Sequence, residues 1–335
     1  MLRAHGLKLA VGVAVGAFFF YLAVRRIDLG QMRAALAAAD YAWVLVAGAL
    51  MLASHYLRAM RWRFFLAPVR RVDTLTLFSA LMIGYAANTF MPAHLGEFLR
   101  ALVLSKKRSI PAGAAFASIV IERIVDVISL IAVMALVIIV HPFPEWVELS
   151  GYVMLAGSLA LLALIVAGKR CEPDTLRLVR WVSRPLPVRL GRRIEALAAT
   201  FLAGIVPLAA PIHYVIVGGL SIAIWAGYAA VYYACLEAFH FVATYHLAWY
   251  AGLVVLVLTT ISVVIPSTPG YVGTYHYLCQ VALAMFAVPA SEALSFAVVA
   301  HVISVVPVML LGLACAHYEG VSIYRAAADA RLNAR

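Results

Sequence analysis

The chain has 335 residues, of which 65% are hydrophobic and only 12% charged, and its formal net charge is +11. An average soluble domain is about 45–50% apolar and about 25% charged, so these few charges exclude a water-soluble globular protein. The basic excess could suggest nucleic acid, but most Lys and Arg lie in loops between apolar runs rather than on an aromatic-studded soluble face, which favours a membrane-topology signal and no nucleic-acid partner.

About 30 Å of hydrocarbon is crossed by roughly 20 helical residues. Arg3 and Lys8 precede an apolar run that ends at Val24 and is closed by Arg25 and Arg26. No small-x-small cleavage site follows, which predicts a retained first span over 7–24 rather than a signal peptide. Further full spans are predicted at 41–60, 113–140, 150–167, 212–236 and 293–318. Two other apolar stretches, 74–105 and 247–287, are interrupted by "NTFMPAHLGEFLR" (88–100) and "IPSTPGYVGTYH" (265–276). Proline and glycine disrupt helices, so Pro92, Gly96, Pro266, Pro269, Gly270 and Gly273 are the predicted helix breaks. Cys171, Cys235, Cys279 and Cys315 have no Cys-x-x-Cys spacing and read as packing residues, with neither a metal nor a disulfide framework implied.

Cytoplasmic loops are enriched in Lys and Arg. The loop after the second span, assigned Arg58, Arg61, Arg63, Arg70 and Arg71, and the basic loop 168–195 are therefore expected in the cytoplasm. Loops 141–149 and 237–246 hold no Lys or Arg and are expected outside. Each interrupted stretch then leaves from and returns to one side, as a re-entrant hairpin. The expected fold is an all-α integral membrane protein, one membrane domain over 1–335, with about six full spans and two re-entrant helical hairpins. Residues 41–140 and 212–318 form an inverted repeat in which Pro92-x-x-x-Gly96 matches Pro266-x-x-x-Gly270. The alternative lets 74–91 and 247–265 cross fully, giving eight or more short spans. Both termini are placed in the cytoplasm of a cell (inner) membrane protein.

Unpaired backbone inside a bilayer needs protein or a wet cavity to satisfy it, so the two breaks point to a cavity. Charges within apolar segments each cost about 2.5–3.5 kcal/mol on insertion scales. Glu97 and Arg100 sit three apart on the helix that returns after the first break, and Glu122, Arg123 and Asp126 lie inside the span 113–140. Pairing Arg100 with Glu97 and Arg123 with Asp126 would make a structural network. It leaves one carboxylate over, available to a proton, a cation or an amine. His276 and His301 occupy the second repeat where the first carries charges. Tyr85, Asn88, His94, Tyr271 and Tyr275 are candidates to line the cavity.

At "NTFMPAHLGEFLRALVLSKK", "SIVIERIVDVISL" and "PSTPGYVGTYHY" the chain resembles the lysylphosphatidylglycerol synthase transmembrane-region family, which includes the flippase half of the multiple peptide resistance factor. The resemblance implies movement of a membrane lipid between leaflets, with Arg100, Arg123, Glu97, Glu122, Asp126, Asn88, His276 and His301 at the headgroup. It also implies lipid-synthesis enzymes as partners. Members often carry Glu where this chain has His276, and Arg near His301, so the substrate is open among anionic, aminoacylated, isoprenoid and glycolipid headgroups. No synthase domain is expected after the last span. No catalytic residue or cofactor is predicted, since no His-Glu-x-x-His, paired acidic metal motif or Ser-His-Asp set is present. A non-transporting accessory protein of lipid or hopanoid synthesis is the alternative, followed by an integral-membrane enzyme on lipid-linked substrates.

Overall fold

Apolar runs this long can satisfy their backbone in lipid only as helices or closed barrels, and helices are what form. A computed structural model describes residues 14–25, 27–90, 95–141, 143–264 and 269–321, and no strand occurs among them. The helices are α1 (Ala14–Val24), α2 (Leu29–Ala38), α3 (Tyr41–Leu66), α4 (Thr74–Phe90), α5 (Leu95–Arg108), α6 (Ala112–Val140) and α7 (Glu145–Arg170). They continue as α8 (Glu172–Ser183), α9 (Val188–Gly204), α10 (Pro211–Ala238), α11 (Phe241–Thr244), α12 (Ala251–Val264), α13 (Thr274–Ala284) and α14 (Ala290–Tyr318). Among the described residues, α3, α6, α7, α10 and α14 are long and apolar enough to cross a membrane. Of the expected first span over 7–24, the described part is the short apolar helix α1, and 7–13 lie outside the described residues.

Helix starts follow local chemistry. Asp28 accepts hydrogen bonds from the Gly30 and Gln31 amides and Asp40 from the Ala42 amide, capping α2 and α3. Pro111, Pro144 and Pro289 stand immediately before α6, α7 and α14. α7 buries little and presents Leu149, Tyr152, Val153 and Leu164 outward, as a helix facing lipid does.

The long helices enclose two short-helix hairpins. α3, α4, α5 and α6 have 26, 17, 14 and 29 residues, and α10, α12, α13 and α14 have 28, 14, 11 and 29. Packing follows the same pairing: α3 lies along α10, α4 against α14 and α12 against α6. α1 and α2 lean on the second half. The Gln280 amide donates to the Ala23 carbonyl at 3.0 Å, and a Cβ on Gly273 would stand 2.2 Å from the Gly16 oxygen.

Two apolar cores result, one around α12 and α13, the other around α4 and α5. α6 passes through both: Ala114, Ala115 and Ile119 belong to the second, Leu130, Met134 and Val137 to the first. Its charged residues fall between them.

Two expectations are corrected. Arg58 and Arg61 are not in a loop: α3 continues to Leu66 because Trp62, Phe65 and Leu66 are buried, and both arginines are carried inside. Arg63 also lies within α3, on its exposed side, so of that expected loop only Arg70 and Arg71 stand outside the helix, both exposed. The stretch 168–195 is helical rather than a loop, with α8 packed on α9 and α9 on α6.

Candidate functional site

Between the two cores lies a layer of ionised side chains drawn from three helices. Arg58 and Arg61 stand three apart on α3, so they share a face. Arg58 Nη2 donates to Glu122 Oε1 at 2.8 Å and also to Asp126. Arg61 donates to Asp126 Oδ1 at 2.5 Å and to Ser221 Oγ of α10 at 2.9 Å. From α5, Arg100 Nη2 reaches Glu122 Oε2 at 2.7 Å while its guanidinium lies 3.5 Å from the Trp62 ring centroid. Such a desolvated cation–π contact contributes about 2 kcal/mol. Trp62 Nε1 is in turn fixed by Ser118 Oγ at 2.9 Å.

Arg123 differs from these. It pairs with Glu97 at 2.5 Å and more loosely with Asp126 at 3.8 Å. Its side chain is 38% exposed and that of Glu97 17%, whereas those of Arg61 and Glu122 are at 0% and that of Arg100 at 2%. Arg123 is therefore the member of the layer that faces open space.

The expected pairing is replaced. Arg100 takes Glu122 rather than Glu97, and Arg123 takes Glu97 in preference to Asp126. With Arg58 and Arg61 included, four guanidiniums meet three carboxylates. The surplus is one positive charge, not one carboxylate. Residual N–H groups on Arg58, Arg61 and Arg100, including Arg100 Nη1, are buried without a hydrogen-bond partner. A layer in this state favours an anion beside it.

The space that Arg123 faces is a cavity of about 290 Å³. Its wall combines both interrupted segments: Asn88 and Thr89 from the end of α4, Gly270 and Tyr271 from the turn before α13. His55 and Tyr85 add to it from the first half; Tyr232, Thr259, Thr260, Tyr275, His301 and Ser304 add from the second.

Local geometry explains why the breaks hold this shape. Gly96 lets α5 approach α4, since a Cβ there would stand 2.0 Å from the Gly84 oxygen, and Asn88 Oδ1 accepts from the Gly96 amide at 2.7 Å. Gly270 (φ 74) and Gly273 (φ 95) adopt backbone that other residues rarely take. His301 Nε2 is 2.8 Å from the Gly270 carbonyl, to which a protonated Nε2 donates, and its ring stacks on Tyr275 with centroids 4.8 Å apart. The Thr259 hydroxyl donates to the Tyr232 oxygen at 2.8 Å, and the Tyr232 and Tyr275 hydroxyls are 3.2 Å apart.

Of the residues singled out in the sequence, Asn88, Arg123 and His301 line the cavity, as do Tyr85, Tyr271 and Tyr275. Glu97 meets it through Arg123. Arg100, Glu122 and Asp126 form the buried layer behind. His276 is buried next to His301, with ring centroids 4.9 Å apart. Pro92, Pro266 and His94 lie outside the described residues, and only the backbone of Pro269 is described. Arg58 and Arg61 were missed as site residues. The signal was present in "RAMRWRFFL" (58–66), where bulky apolar residues continue at helical spacing beyond both arginines.

These features define a multi-pass, all-α membrane protein with a cavity between two broken helical hairpins, polar side chains on its wall, and a buried ionic layer along one side. The chain belongs to the Lysylphosphatidylglycerol synthase TM region family, which it matches over residues 9–312. It is 25% identical over 335 residues to a UPF0104 membrane protein of Methanothermobacter thermautotrophicus, a match covering 94% of this chain and 97% of that one. A shorter likeness, 31% identity over 114 residues, is to Glycosyltransferase AglD of Haloferax volcanii. It covers 34% of this chain and only 18% of that protein's length. No solved structure matches.

Proposed function

We propose that this protein moves the polar headgroup of a membrane lipid between leaflets through the cavity between the two hairpins. The observation that carries the reading is the placement of Arg123. It is a part-exposed guanidinium on a cavity wall built from both interrupted segments, backed by a layer with one positive charge in excess. Discontinuous helices around a central site are the usual transporter arrangement. In this reading 41–140 and 212–318 are inverted repeats, as their matched helix lengths and pairings suggest, and rocking of one against the other alternates access. The hairpins re-enter from opposite sides, and both termini face the cytoplasm of the cell (inner) membrane. The acyl tails stay in the bilayer while the headgroup crosses.

The reading assigns the chain no catalysis of its own. The Thr259, Thr260 and Ser304 hydroxyls on the cavity wall bond to backbone carbonyls or Tyr232 rather than to a histidine or carboxylate, unlike an activated nucleophile. The partial likeness to Glycosyltransferase AglD favours a second reading, an accessory membrane protein working beside lipid- or glycolipid-synthesis enzymes without transporting.

The test is reconstitution into liposomes with fluorescent lipids of several headgroup classes, followed by a leaflet-exchange assay. Wild-type protein should accelerate at least one class over protein-free liposomes, and Arg123→Ala should slow that class at least tenfold. Acceleration of no class would refute transport and favour the accessory role.

A further inference from the structure

The cavity wall is selective in charge as well as shape. Among the described lining residues Arg123 is the one Lys or Arg, and none is Asp or Glu. The carboxylates of the ionic layer are turned away or occupied: Glu122 is fully buried between Arg58 and Arg100, Asp126 is held by Arg58 and Arg61, and Glu97 is held by Arg123. An incoming ammonium therefore meets a surplus positive charge and no unpaired counter-ion. An incoming phosphate meets Arg123, whose planar donor fork matches its oxygens.

The rest of the polar wall is neutral and oriented. The Thr260 hydroxyl donates to the Leu256 carbonyl at 2.7 Å and the Ser304 hydroxyl to the Ala300 carbonyl at 2.8 Å. Each hydroxyl has one hydrogen, so these oxygens are left to accept. Acceptors on a wall suit hydroxyl groups on a ligand. At about 290 Å³ the cavity is just below the roughly 300–1,000 Å³ range of ligand sites, which fits a compact headgroup.

We propose that the cavity selects a lipid headgroup that is anionic and hydroxyl-rich, a phosphate bearing a glycerol or a single sugar, and discriminates against a cationic, aminoacylated one. Arg123 holds the phosphate, and the Thr260 and Ser304 oxygens accept from the headgroup hydroxyls. The inference rests on the reading of this cavity as the headgroup path. It differs from that reading in saying which headgroup binds, whether or not it crosses.

The test is lipid retention by the purified full chain, measured by native mass spectrometry across a concentration series. The probes are phosphatidylglycerol and a polyprenyl phosphohexose on one side, and lysyl-phosphatidylglycerol and a neutral monohexosyl diacylglycerol on the other. Wild type should retain at least one phosphate probe at least tenfold more tightly than the lysylated or neutral lipids, and the tighter of the two identifies the source of the phosphate. Arg123→Gln should bring the preference within about twofold of none, Arg123→Lys should keep part of it, and Thr260→Val with Ser304→Ala should narrow the gap between phosphatidylglycerol and phosphatidic acid. Equal or tighter retention of lysyl-phosphatidylglycerol by wild type would overturn the proposal and needs no variant to fold. So would a preference that survives Arg123→Gln, since it would belong to lipid on the outer surface. Leaflet exchange is scored separately. Selective retention without exchange sinks transport and leaves the selectivity standing, while exchange without selective retention of a phosphate probe leaves transport standing and sinks the selectivity.

Discussion

The surplus positive charge can be tested by removing one charge of each sign. Asp126 accepts from Arg58 and, at 2.5 Å, from Arg61, with Arg123 Nη1 3.8 Å away. Asp126→Asn preserves shape but raises the surplus from one positive charge to two, in a layer where Arg61 is fully buried. Breaking one side of a buried ion pair costs about 3–5 kcal/mol. The Asn oxygen still accepts one hydrogen bond, so about 3 kcal/mol is expected. Arg61→Met cancels the surplus, leaves Asp126 with Arg58 and forfeits the bond to Ser221, for about 1 kcal/mol. The double variant should cost at least about 1 kcal/mol less than the sum of the singles, because both act on one network. The assay is SDS-driven unfolding in mixed micelles followed by circular dichroism. If Arg61→Met costs as much as Asp126→Asn, the surplus is misassigned; a spare carboxylate would instead make Asp126→Asn nearly neutral.

Gly96→Ala should force α4 and α5 apart, given the 2.0 Å approach to the Gly84 oxygen, costing about 1–3 kcal/mol in the same unfolding assay; wild-type stability would show that the hairpin is not close-packed there. At the start of α4, burial works to raise the Asp73 pKa, but hydrogen bonds from the Thr76 amide and hydroxyl and the nearby Arg108 outweigh it and hold the carboxyl below its ordinary 3.8. A depressed carboxyl stabilises above its unfolded pKa and loses that contribution as pH falls through the folded one. Asp73→Asn should therefore cost something at pH 7, and progressively less as pH falls below 3.8 and through the lowered folded pKa. The loss stays under about 1 kcal/mol because the Asp73–Arg108 pair is largely exposed, and a pH-independent difference between the two proteins would contradict the assignment. Single cysteines at Lys107 and Pro289 should react with an impermeant maleimide from opposite faces of sealed vesicles, and reaction from one face alone would remove the inverted repeat.

Much of the scaffold was legible because its signal is one-dimensional. Long apolar runs predict the five long helices, and the Pro-Gly clusters separate α4 from α5 and α12 from α13. Charge pairing was not legible, because partners such as Arg58 and Glu122 are 64 positions apart and a helix face says which residues share a side but not what they meet. The same limit explains Arg58 and Arg61. A positive-inside reading counts arginines at a span's end as loop, and only the carboxylates of α6 make their burial affordable. Thr260 and Ser304 gave no signal at all, since isolated hydroxyls in an apolar helix bond to their own backbone equally well on either face.

The two halves fasten their hairpins differently, and this has a consequence for motion. In each half the closing long helix holds its own hairpin at the matched glycine. In the first, Arg123 of α6 grips Glu97, next to Gly96, through an ion pair; in the second, His301 of α14 meets the carbonyl of Gly270 itself. Hydrogen bonds to charged groups are worth about 1.5–3 kcal/mol net and ordinary ones about 0.5–1.5 kcal/mol. The second hairpin should therefore open at lower cost, and amides of 274–284 should exchange with deuterium faster than those of 95–108 in detergent at neutral pH. His301→Phe should widen the difference and Glu97→Gln should narrow it. Faster exchange in 95–108 for wild type would mean that the ion pair is not what retains the first hairpin.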